Sequence, residues 1–411
     1  MAPLTQSDLR GYLIVTGGYW GFTITDGAIR MLVVLYFHLL GYSPLEVAML
    51  FLFYEFFGIV TNLVGGWLGT RLGLNRTMHI GMGLQVLALA MLTVPDPWLS
   101  VGFVMCAQAL SGIAKDLNKM SAKASVKTLA GADGSGRLLK WVAMLTGSKN
   151  ALKGLGFFLG AALLELVSFR GAMGLLAGGL AIVLVLTAVL APRDLGKATD
   201  KPKFTEVFSR TPAVNWLSAA RFFLFASRDV WFVVALPMFL YSTLGWSFMQ
   251  VGATLAFWII GYGIVQAGAP KLLRSGPPGR PGPGAAQAWA AALVLCPAAL
   301  AFGIHETSAP GVTILVGLGL FGVVFAVNSS LHSYLILAYS DFDKVSMNVG
   351  FYYMANAGGR LAGTILSGLG YQLFGLSGCL WIAAGFVSAT TLISLKLPPL
   401  PALRTASATP D

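Results

Sequence analysis

The chain has 411 residues, of which 56% are hydrophobic and only 10% are charged, with a mean hydropathy of +0.76. A soluble protein carries about 25% charged residues to keep its surface in water, so this composition excludes an ordinary soluble enzyme or binding domain. The net charge of +11 would suggest nucleic-acid binding in a soluble chain, but here it lies mainly in loops between apolar segments, which favours a membrane protein without a nucleic-acid partner.

Twelve apolar segments, each long enough to cross a lipid bilayer as a helix, follow one another along the chain. We number these predicted spans 1 to 12 in chain order. They cover residues 13–40, 44–69, 77–95, 98–124, 139–165, 171–192, 214–241, 248–270, 286–304, 310–338, 346–373 and 376–396.

The loops between the predicted spans alternate between two kinds. Tight turns without Lys or Arg occupy residues 41–43, 95–97, 242–247 and 374–378. Longer basic loops occupy residues 71–76, 123–137, 193–210 and 271–280. Because basic loops remain on the cytoplasmic side of a membrane, the sequence predicts that both termini lie in the cytoplasm.

The chain divides into two predicted halves, residues 1–192 and 214–411, joined by a polar cytoplasmic linker at residues 193–213. A short repeat supports this division, because LGYSPLEV at residues 40–47 and LGWSFMQV at residues 244–251 share Leu, Gly, Ser and Val at equivalent places. Repeated six-helix bundles are the architecture of the major facilitator superfamily. We therefore predict an all-α membrane protein with that fold, with twelve transmembrane helices in two six-helix pseudo-symmetric halves.

The loop GWLGTRLGLNR at residues 66–76 resembles the pattern that this superfamily has between spans 2 and 3. Gly66, Arg71, Gly73 and Arg76 match that pattern. Thr70 stands where the pattern has an acid, which puts the usual charge-relay role of the loop in doubt. The alternative is an ordinary basic cytoplasmic loop.

Leaving aside charges within two residues of a span end, eight cations and four acids lie inside the predicted spans, which leaves an excess of four positive charges. The cations are Arg30, Lys115, Lys119, Lys149, Lys153, Arg221, Arg228 and Arg360, and the acids are Asp26, Glu55, Asp116 and Asp229. Charged groups are costly at bilayer depth and usually mark function. Salt bridges alone would need no excess of cations, so the imbalance favours an anionic substrate over a purely structural role.

The deepest cations indicate where that substrate would bind. Lys153, Arg228 and Arg360 each lie about 18 Å into a span at 1.5 Å per residue, close to the middle of a core about 30 Å thick. We predict that cations of both halves face each other there. The predicted binding set is Lys149, Lys153, Arg228, Arg360, Arg30, Lys115, Asn150 and Asn356. The alternative for the two span 5 lysines is structural pairing with Asp116 or Glu55.

The remaining charged residues in the spans have other expected roles. Glu55 has no cationic neighbour within its own helix, and a buried carboxyl group without a partner can carry a proton. It is the first candidate for proton coupling and Asp26 is the second, although Asp26 and Arg30 could instead form a structural bridge at i and i+4. Lys119 and Arg221 lie towards the predicted cytoplasmic ends, where we expect their side chains to reach the interface.

Polar residues 328–330 and 332 in span 10 could bind a ligand or join helices. Arg228 and Asp229 are adjacent in sequence, as are Lys115 and Asp116, and the members of each pair need not bind each other. The sequence predicts no catalytic residues, no metal site and no cofactor, because its histidines and its cysteines (Cys106, Cys296 and Cys379) are dispersed. It also has no nucleotide-binding GxxxxGK[ST] motif, which excludes ATP-driven transport within this chain.

Several longer strings resemble one family, the organoarsenical efflux permeases called ArsJ. They are LFLFYE at residues 50–55, SGIAKDLNKMSAK at 111–123, TGSKNALK at 146–153 and RDVWFVVALP at 228–237. The resemblance implies export of the arsenate ester 1-arseno-3-phosphoglycerate across a bacterial inner membrane, which confers arsenate resistance. It also implies partnership with a glyceraldehyde-3-phosphate dehydrogenase that makes the ester. The alternatives are a secondary antiporter of another phosphorylated organic anion and a receptor or scaffold without transport.

Overall fold

A computed structural model describes residues 6–130, 135–190, 211–273, 282–339 and 345–400, and its regular structure is helical within these ranges. Most of the predicted linker, residues 193–213, lies outside the described residues. The described helices correspond one by one to the predicted spans, and we keep the numbers 1 to 12 for them.

The first half contains spans 1 to 6. They are Gln6–Leu39, Pro44–Met49 continued by Leu52–Leu72, Leu74–Met91, Val101–Ala130, Ser135–Leu166 and Phe169–Leu190. Spans 7 to 10 are Pro212–Phe232 continued by Ala235–Met238, Phe248–Leu273, Pro283–Glu306 and Pro310–Ala338. One long helical element, Val345–Ser394, contains spans 11 and 12, because Gly375 interrupts it with a φ of +65°.

Eight segments among the described residues are long and apolar enough to cross a membrane, and the last of them, Gly350–Ser394, contains both span 11 and span 12. Those segments account for every span except 3, 4 and 5. These three carry more polar residues. Spans 3 and 4 pack within the first half, whereas span 5 packs against span 1 and also against span 8 of the second half. The predicted twelve-helix architecture is therefore confirmed.

Two spans contain breaks that hydropathy did not predict. Span 2 is interrupted at residues 50–51, shortly after a start at which Ser43 and Glu46 form a capping box. Span 7 is interrupted at residues 233–234, and the backbone amides of Val234 and Ala235 donate to the Ser367 hydroxyl at 3.3 and 3.1 Å. A side chain from span 11 thus satisfies backbone groups that the break would otherwise leave unpaired in the bilayer.

Glycines let spans 7 and 11 approach closely, which sets the position of the central charges. A methyl group on Gly359 would collide with the carbonyl oxygen of Phe222, and one on Gly363 would lie 2.9 Å from Asp229 Cβ. Small residues allow this backbone proximity between membrane helices. The contact places Arg360, the residue after Gly359, beside Asp229.

The two halves contact each other at the predicted outer end. His38 Nε2 lies 2.5 Å from Ser242 Oγ, and the backbone amide of Met249 donates to Glu165 Oε2 at 3.3 Å. The backbone amide of Leu45 donates to Gln372 Oε1 at 3.4 Å. In this conformation the outer ends of the halves are therefore joined.

Candidate functional site

Five charged residues from four spans form a continuous network, which we call the arginine cluster. Glu55 Oε1 accepts hydrogen bonds from Arg30 Nη2 at 2.7 Å and from Arg360 Nη2 at 2.6 Å. Arg360 Nε donates to Asp229 Oδ2 at 3.1 Å, and Arg228 Nε donates to Asp229 Oδ1 at 2.6 Å. Arg360 thus joins a carboxylate of the first half to a carboxylate of the second.

A second group, the lysine cluster, lies entirely in the first half. It consists of Asp26, Tyr54, Lys115, Asp116 and Lys153. Lys153 Nζ lies 3.7 Å from Asp26 Oδ2, and the Tyr54 hydroxyl donates to Asp26 Oδ1 at 2.5 Å. Lys115 Nζ lies 3.7 Å from Asp116 Oδ2 and 4.1 Å from the centroid of the Tyr54 ring. Two ion pairs, one hydrogen bond and one cation–π contact therefore hold this cluster together.

Tyr54, which is not in the binding set predicted from the sequence, connects the two clusters. The Arg30 guanidinium carbon lies 5.1 Å from the centroid of the same ring that Lys115 contacts. Tyr54 precedes Glu55 in the string LFLFYE, so its neighbour was the only signal in the sequence. Chemically, its ring faces two cations while its hydroxyl group orients the Asp26 carboxylate.

Three of the four acids that lie away from the span ends are shared between two cations. Glu55 bridges Arg30 and Arg360. Asp229 and Asp116 are shared in the same way, by Arg228 with Arg360 and by Lys115 with Lys119. Because each shared carboxylate carries a single negative charge, these pairings do not neutralise the cationic excess that the sequence contains.

Exposure differs between the acids and the cations of these pairs. The exposed side-chain fraction is 0% for Glu55, Asp116 and Asp229 and 6% for Asp26. It is 16% for Lys115 and Arg360, 17% for Arg228 and 19% for Lys153. The carboxylates thus lie behind the cations, and the groups that remain accessible are positive. Such a surface attracts anions.

Two predictions about the cytoplasmic ends of the spans are wrong. Arg221 does not extend to the interface but is buried, with Nε donating to Asn356 Oδ1 at 3.0 Å and Nη1 donating to the Ser329 carbonyl oxygen at 3.2 Å. Lys119 also turns inwards and binds Asp116 Oδ1 at 2.5 Å. Hydrogen-bonding partners within reach inside the protein replace the hydration that the interface would have supplied.

Three expectations about pairing also need correction. Asp26 and Arg30 share a helix face, but their ion pairs are with Lys153 and Glu55 on other spans. Arg228 does pair with Asp229, because its long side chain bends back to the adjacent carboxylate. Glu55 was expected to be a buried carboxyl group without a partner, but it pairs with two arginines, one from span 1 and one from span 11.

Asn150, another residue of the predicted binding set, contacts span 8. Asn150 Nδ2 donates to Gln266 Oε1 at 3.3 Å, which is a further contact between the two halves. Lys149 precedes Asn150 and is partly buried. Two of the polar residues of span 10 join helices, since Asn328 donates to the Trp289 carbonyl oxygen at 2.8 Å and Ser330 donates to the carbonyl oxygen of residue 266.

The described residues offer no metal site, and the cavity that they form elsewhere in the protein is poorly suited to an anion. Among the described residues, no group of three His, Cys, Asp or Glu side chains could hold a metal ion. A cavity of about 390 Å³ opens at the predicted outer end of the second half, away from both clusters. It is lined by Phe239, Thr243, Ile304, Tyr371, Phe374, Gly375, Leu376 and Ser377. This mostly apolar lining is unsuited to a doubly charged anion.

Comparisons with known proteins agree with this architecture. The family model of the Major Facilitator Superfamily matches residues 15–337. The crystal structure of the nucleoside transporter NupG is similar, with 13% identity, a TM-score of 0.73 and coverage of 95% of this chain and 99% of that one. The human organic anion transporter MFSD10 (TETRAN) has 16% identity, a TM-score of 0.67 and coverage of 95% and 100%.

Identities this low show a shared fold and do not transfer a substrate. No curated protein sequence matches the chain. The family model covers well over half of the sequence, and the twelve-helix fold agrees with it. The chain therefore belongs to the Major Facilitator Superfamily and is a multi-pass membrane transporter.

Proposed function

We propose that this transporter exports the doubly anionic ester 1-arseno-3-phosphoglycerate by alternating access and thereby confers arsenate resistance. A glyceraldehyde-3-phosphate dehydrogenase would supply the ester on the cytoplasmic side of the inner membrane. The observation that supports anion transport is the cationic face between the two halves, where buried carboxylates are shared and accessible lysines and arginines remain in excess. The choice of ester rests on the resemblance to organoarsenical permeases.

The chemistry of the ester suits this site. Arsenate and phosphate groups are oxyanions, which bind arginine and lysine through charge-assisted hydrogen bonds. Trivalent arsenic would instead prefer thiolate ligands, and the three cysteines lie apart in spans 4, 9 and 12. Lys115, Lys153 and Arg228 all lie on strings that resemble the permeases. The resemblance thus coincides with the charged residues of the site.

Competition for Arg360 gives the proposed export a mechanism. Arg360 holds Glu55 of the first half and Asp229 of the second, so an oxyanion that binds Arg360 competes with both carboxylates. A ligand shifts a conformational equilibrium only when it binds one state better than the other. Substrate binding would loosen this bridge between the halves. Glu55 would still pair with Arg30, so its role as the first candidate to carry a proton would require that second pair to open as well. Asp26 remains the second candidate.

Other functions fit the site less well. A neutral nucleoside gains little from an excess of buried cations, and an organic cation is repelled by it. A receptor or scaffold without transport has no use for cations that exceed the acids. Export of another phosphorylated organic anion by a secondary antiporter remains the second candidate, because the same groups would bind it.

Everted membrane vesicles test the substrate directly. Uptake of the arsenate ester, 3-phosphoglycerate, arsenate and arsenite is measured side by side in vesicles with and without the protein. We expect uptake of the ester to exceed uptake of the other three compounds. Preferred uptake of 3-phosphoglycerate would support the second candidate, and uptake of arsenite alone would contradict both.

Resistance of whole cells provides an independent test. Cells that express the protein should gain arsenate resistance only when a suitable dehydrogenase supplies the ester, and their arsenite resistance should not change. The matched control is the variant Arg170→Gln, because Arg170 pairs with Asp96 on the surface and contacts neither cluster. Strong arsenite resistance from this protein alone would show that the assignment is wrong.

A further inference from the structure

Span 7 carries two arginines on one face, with a phenylalanine between them. Arg221 and Arg228 are seven residues apart in a continuous helix, which is nearly two turns and about 10 Å along the axis. The guanidinium carbons of Arg221 and Arg228 lie 3.9 and 4.9 Å from the centroid of the Phe225 ring. We call these three residues the arginine ladder. Because both guanidinium groups contact one ring, their carbons lie within about 9 Å of each other.

The two arginines differ in their partners. Arg228 pairs with Asp229, whereas the hydrogen bonds of Arg221 go to neutral groups of Asn356 and Ser329. Among the described ion pairs, none provides Arg221 with a carboxylate. A buried cation without a counterion costs several kcal/mol. An anion that binds at Arg221 would remove this cost, so the position is suited to a negatively charged ligand.

Buried polar groups one turn away also lack partners. The Ser218 hydroxyl group, three residues before Arg221 on the same helix, is buried and has no hydrogen-bond partner among the described residues. The same holds for both ring nitrogens of His332, three residues after Ser329 on span 10. Buried polar groups are almost always hydrogen-bonded, so unsatisfied groups beside an unpaired cation point to a ligand or water that completes the site.

Hydrogen bonds also connect Arg221 and its partners to the first half of the protein. Ser329 Oγ accepts a hydrogen bond from Gln266 Nε2 at 3.4 Å, and Gln266 Oε1 accepts one from Asn150 Nδ2 at 3.3 Å. A chain of hydrogen bonds therefore runs from span 5 through spans 8 and 10 to span 7. A ligand at Arg221 would perturb a contact between the halves, as a ligand at Arg360 would.

We propose that Arg221, Asn356 and Ser329 form a second oxyanion subsite, and that the arginine ladder selects short organic anions with a charged group at each end. Arg228 and Arg360 would hold one end and Arg221 the other. This inference rests on the proposed function as an anion transporter and adds the residue that distinguishes a two-ended anion from a one-ended anion. A ligand with one charged group can use only one of the subsites at a time.

Two phosphorylated probes test the ladder. Glycerol 3-phosphate carries one charged end, and 3-phosphoglycerate carries a carboxylate at the other end as well. Binding of each probe to the purified full-length protein in lipid nanodiscs is measured by titration calorimetry. We expect tighter binding of 3-phosphoglycerate by the wild type. The variant Arg221→Gln should weaken that binding by about 10- to 150-fold, the loss of a charged hydrogen bond, and leave glycerol 3-phosphate nearly unchanged.

Control variants make the outcome decisive. Arg170→Gln removes a surface charge and should change the binding of neither probe. Arg221→Lys keeps the buried charge but loses the planar guanidinium group, so it should show a smaller loss for 3-phosphoglycerate alone, and it decides the question if Arg221→Gln does not fold. The inference is wrong if the Arg221 variants keep the full wild-type preference for 3-phosphoglycerate or weaken both probes equally. A wild type that binds 3-phosphoglycerate no better than glycerol 3-phosphate would also contradict the ladder, whereas the proposed export is tested separately by uptake of the ester in everted vesicles.

Discussion

Arg360 uses two different nitrogens to hold two carboxylates, and each of those carboxylates keeps another arginine. Without Arg360, Glu55 would still pair with Arg30, and Asp229 would still pair with Arg228. Removing one partner of a buried ion pair usually destabilises a protein because the other charge is left buried and unpaired. The loss of Arg360 would leave neither carboxylate unpaired. Arg360 is therefore a position where binding and folding can be separated by mutation.

We expect Arg360→Ala to abolish transport while the amount of protein in the membrane stays close to normal. The loss of one charge-assisted hydrogen bond to substrate costs about 1.5–3 kcal/mol, or roughly 10- to 150-fold in affinity. Arg360→Lys should rescue poorly, since one ammonium group cannot replace the Nε and Nη2 contacts together. Uptake by everted vesicles and immunoblotting measure both properties. Normal transport by the alanine variant would contradict this role.

Lys153 and Arg360 lie at similar depths in their spans, but the carboxylates that they bind differ in how many other partners they have. Its partner Asp26 has one described ion pair, so Lys153→Ala leaves that carboxylate with the Tyr54 hydroxyl as its remaining hydrogen bond. We expect the single variant to reduce the amount of folded protein, and Lys153→Ala with Asp26→Asn to restore the amount but not transport. Size-exclusion chromatography of a fluorescent fusion measures folding. Full transport by the double variant would show that the pair is only structural.

At the scale of elements, the close approach of spans 7 and 11 depends on glycine. Gly359→Ala would place a methyl group against the Phe222 carbonyl oxygen, a backbone atom that cannot move aside as a side chain can. Overpacking of this kind costs about 1–3 kcal/mol. Gly350→Ala is the matched control, because Gly350 lies on the same span with no atom near its absent side chain. We expect only Gly359→Ala to lower the melting temperature, and equal effects of the two would contradict this packing.

The number and order of the spans could be predicted from the sequence, because twelve apolar runs are a strong signal in a bilayer. The breaks at residues 50–51 and 233–234 could not, since hydropathy is insensitive to a local change of backbone geometry. The ion-pair partners of the charged residues could not be predicted for a related reason. Spacing along one helix suggested that Asp26 pairs with Arg30, whereas the partner of each comes from another span and depends on how the helices pack.

At the scale of the whole molecule, the contacts between the halves at the outer end differ in chemical type from the contact at the centre. Those at the predicted outer end are hydrogen bonds of neutral or exposed groups, such as His38 with Ser242. The central contact, between Glu55 and Arg360, is an ion pair with a buried carboxylate. Exposed groups can exchange a partner for water at little cost, whereas a buried ion pair cannot. We therefore infer that the central pair, which substrate can replace, controls the movement of the halves.

That mechanism exports substrate only if the membrane orientation is the predicted one, which cysteine labelling can establish. In a variant without Cys106, Cys296 and Cys379, single cysteines are placed in the loops and treated with a membrane-impermeant thiol reagent. The positions are Pro95 and Ala309, predicted to lie outside, and Gly131, Lys201 and Gly282, predicted to lie inside. Because basic loops stay in the cytoplasm, we expect intact cells to label only the first two and permeabilised cells to label all five.

Both outer positions are exposed in the structure, so failure to label them would not come from burial. They lie in the turns before span 4 and before span 10, at the end of the molecule where His38 meets Ser242. Labelling at position 201 in intact cells would show that the orientation is the reverse of the predicted one. The joined ends would then face the cytoplasm, and the substrate would have to enter from the opposite side. Export driven by competition at Arg360 would then be excluded for this conformation.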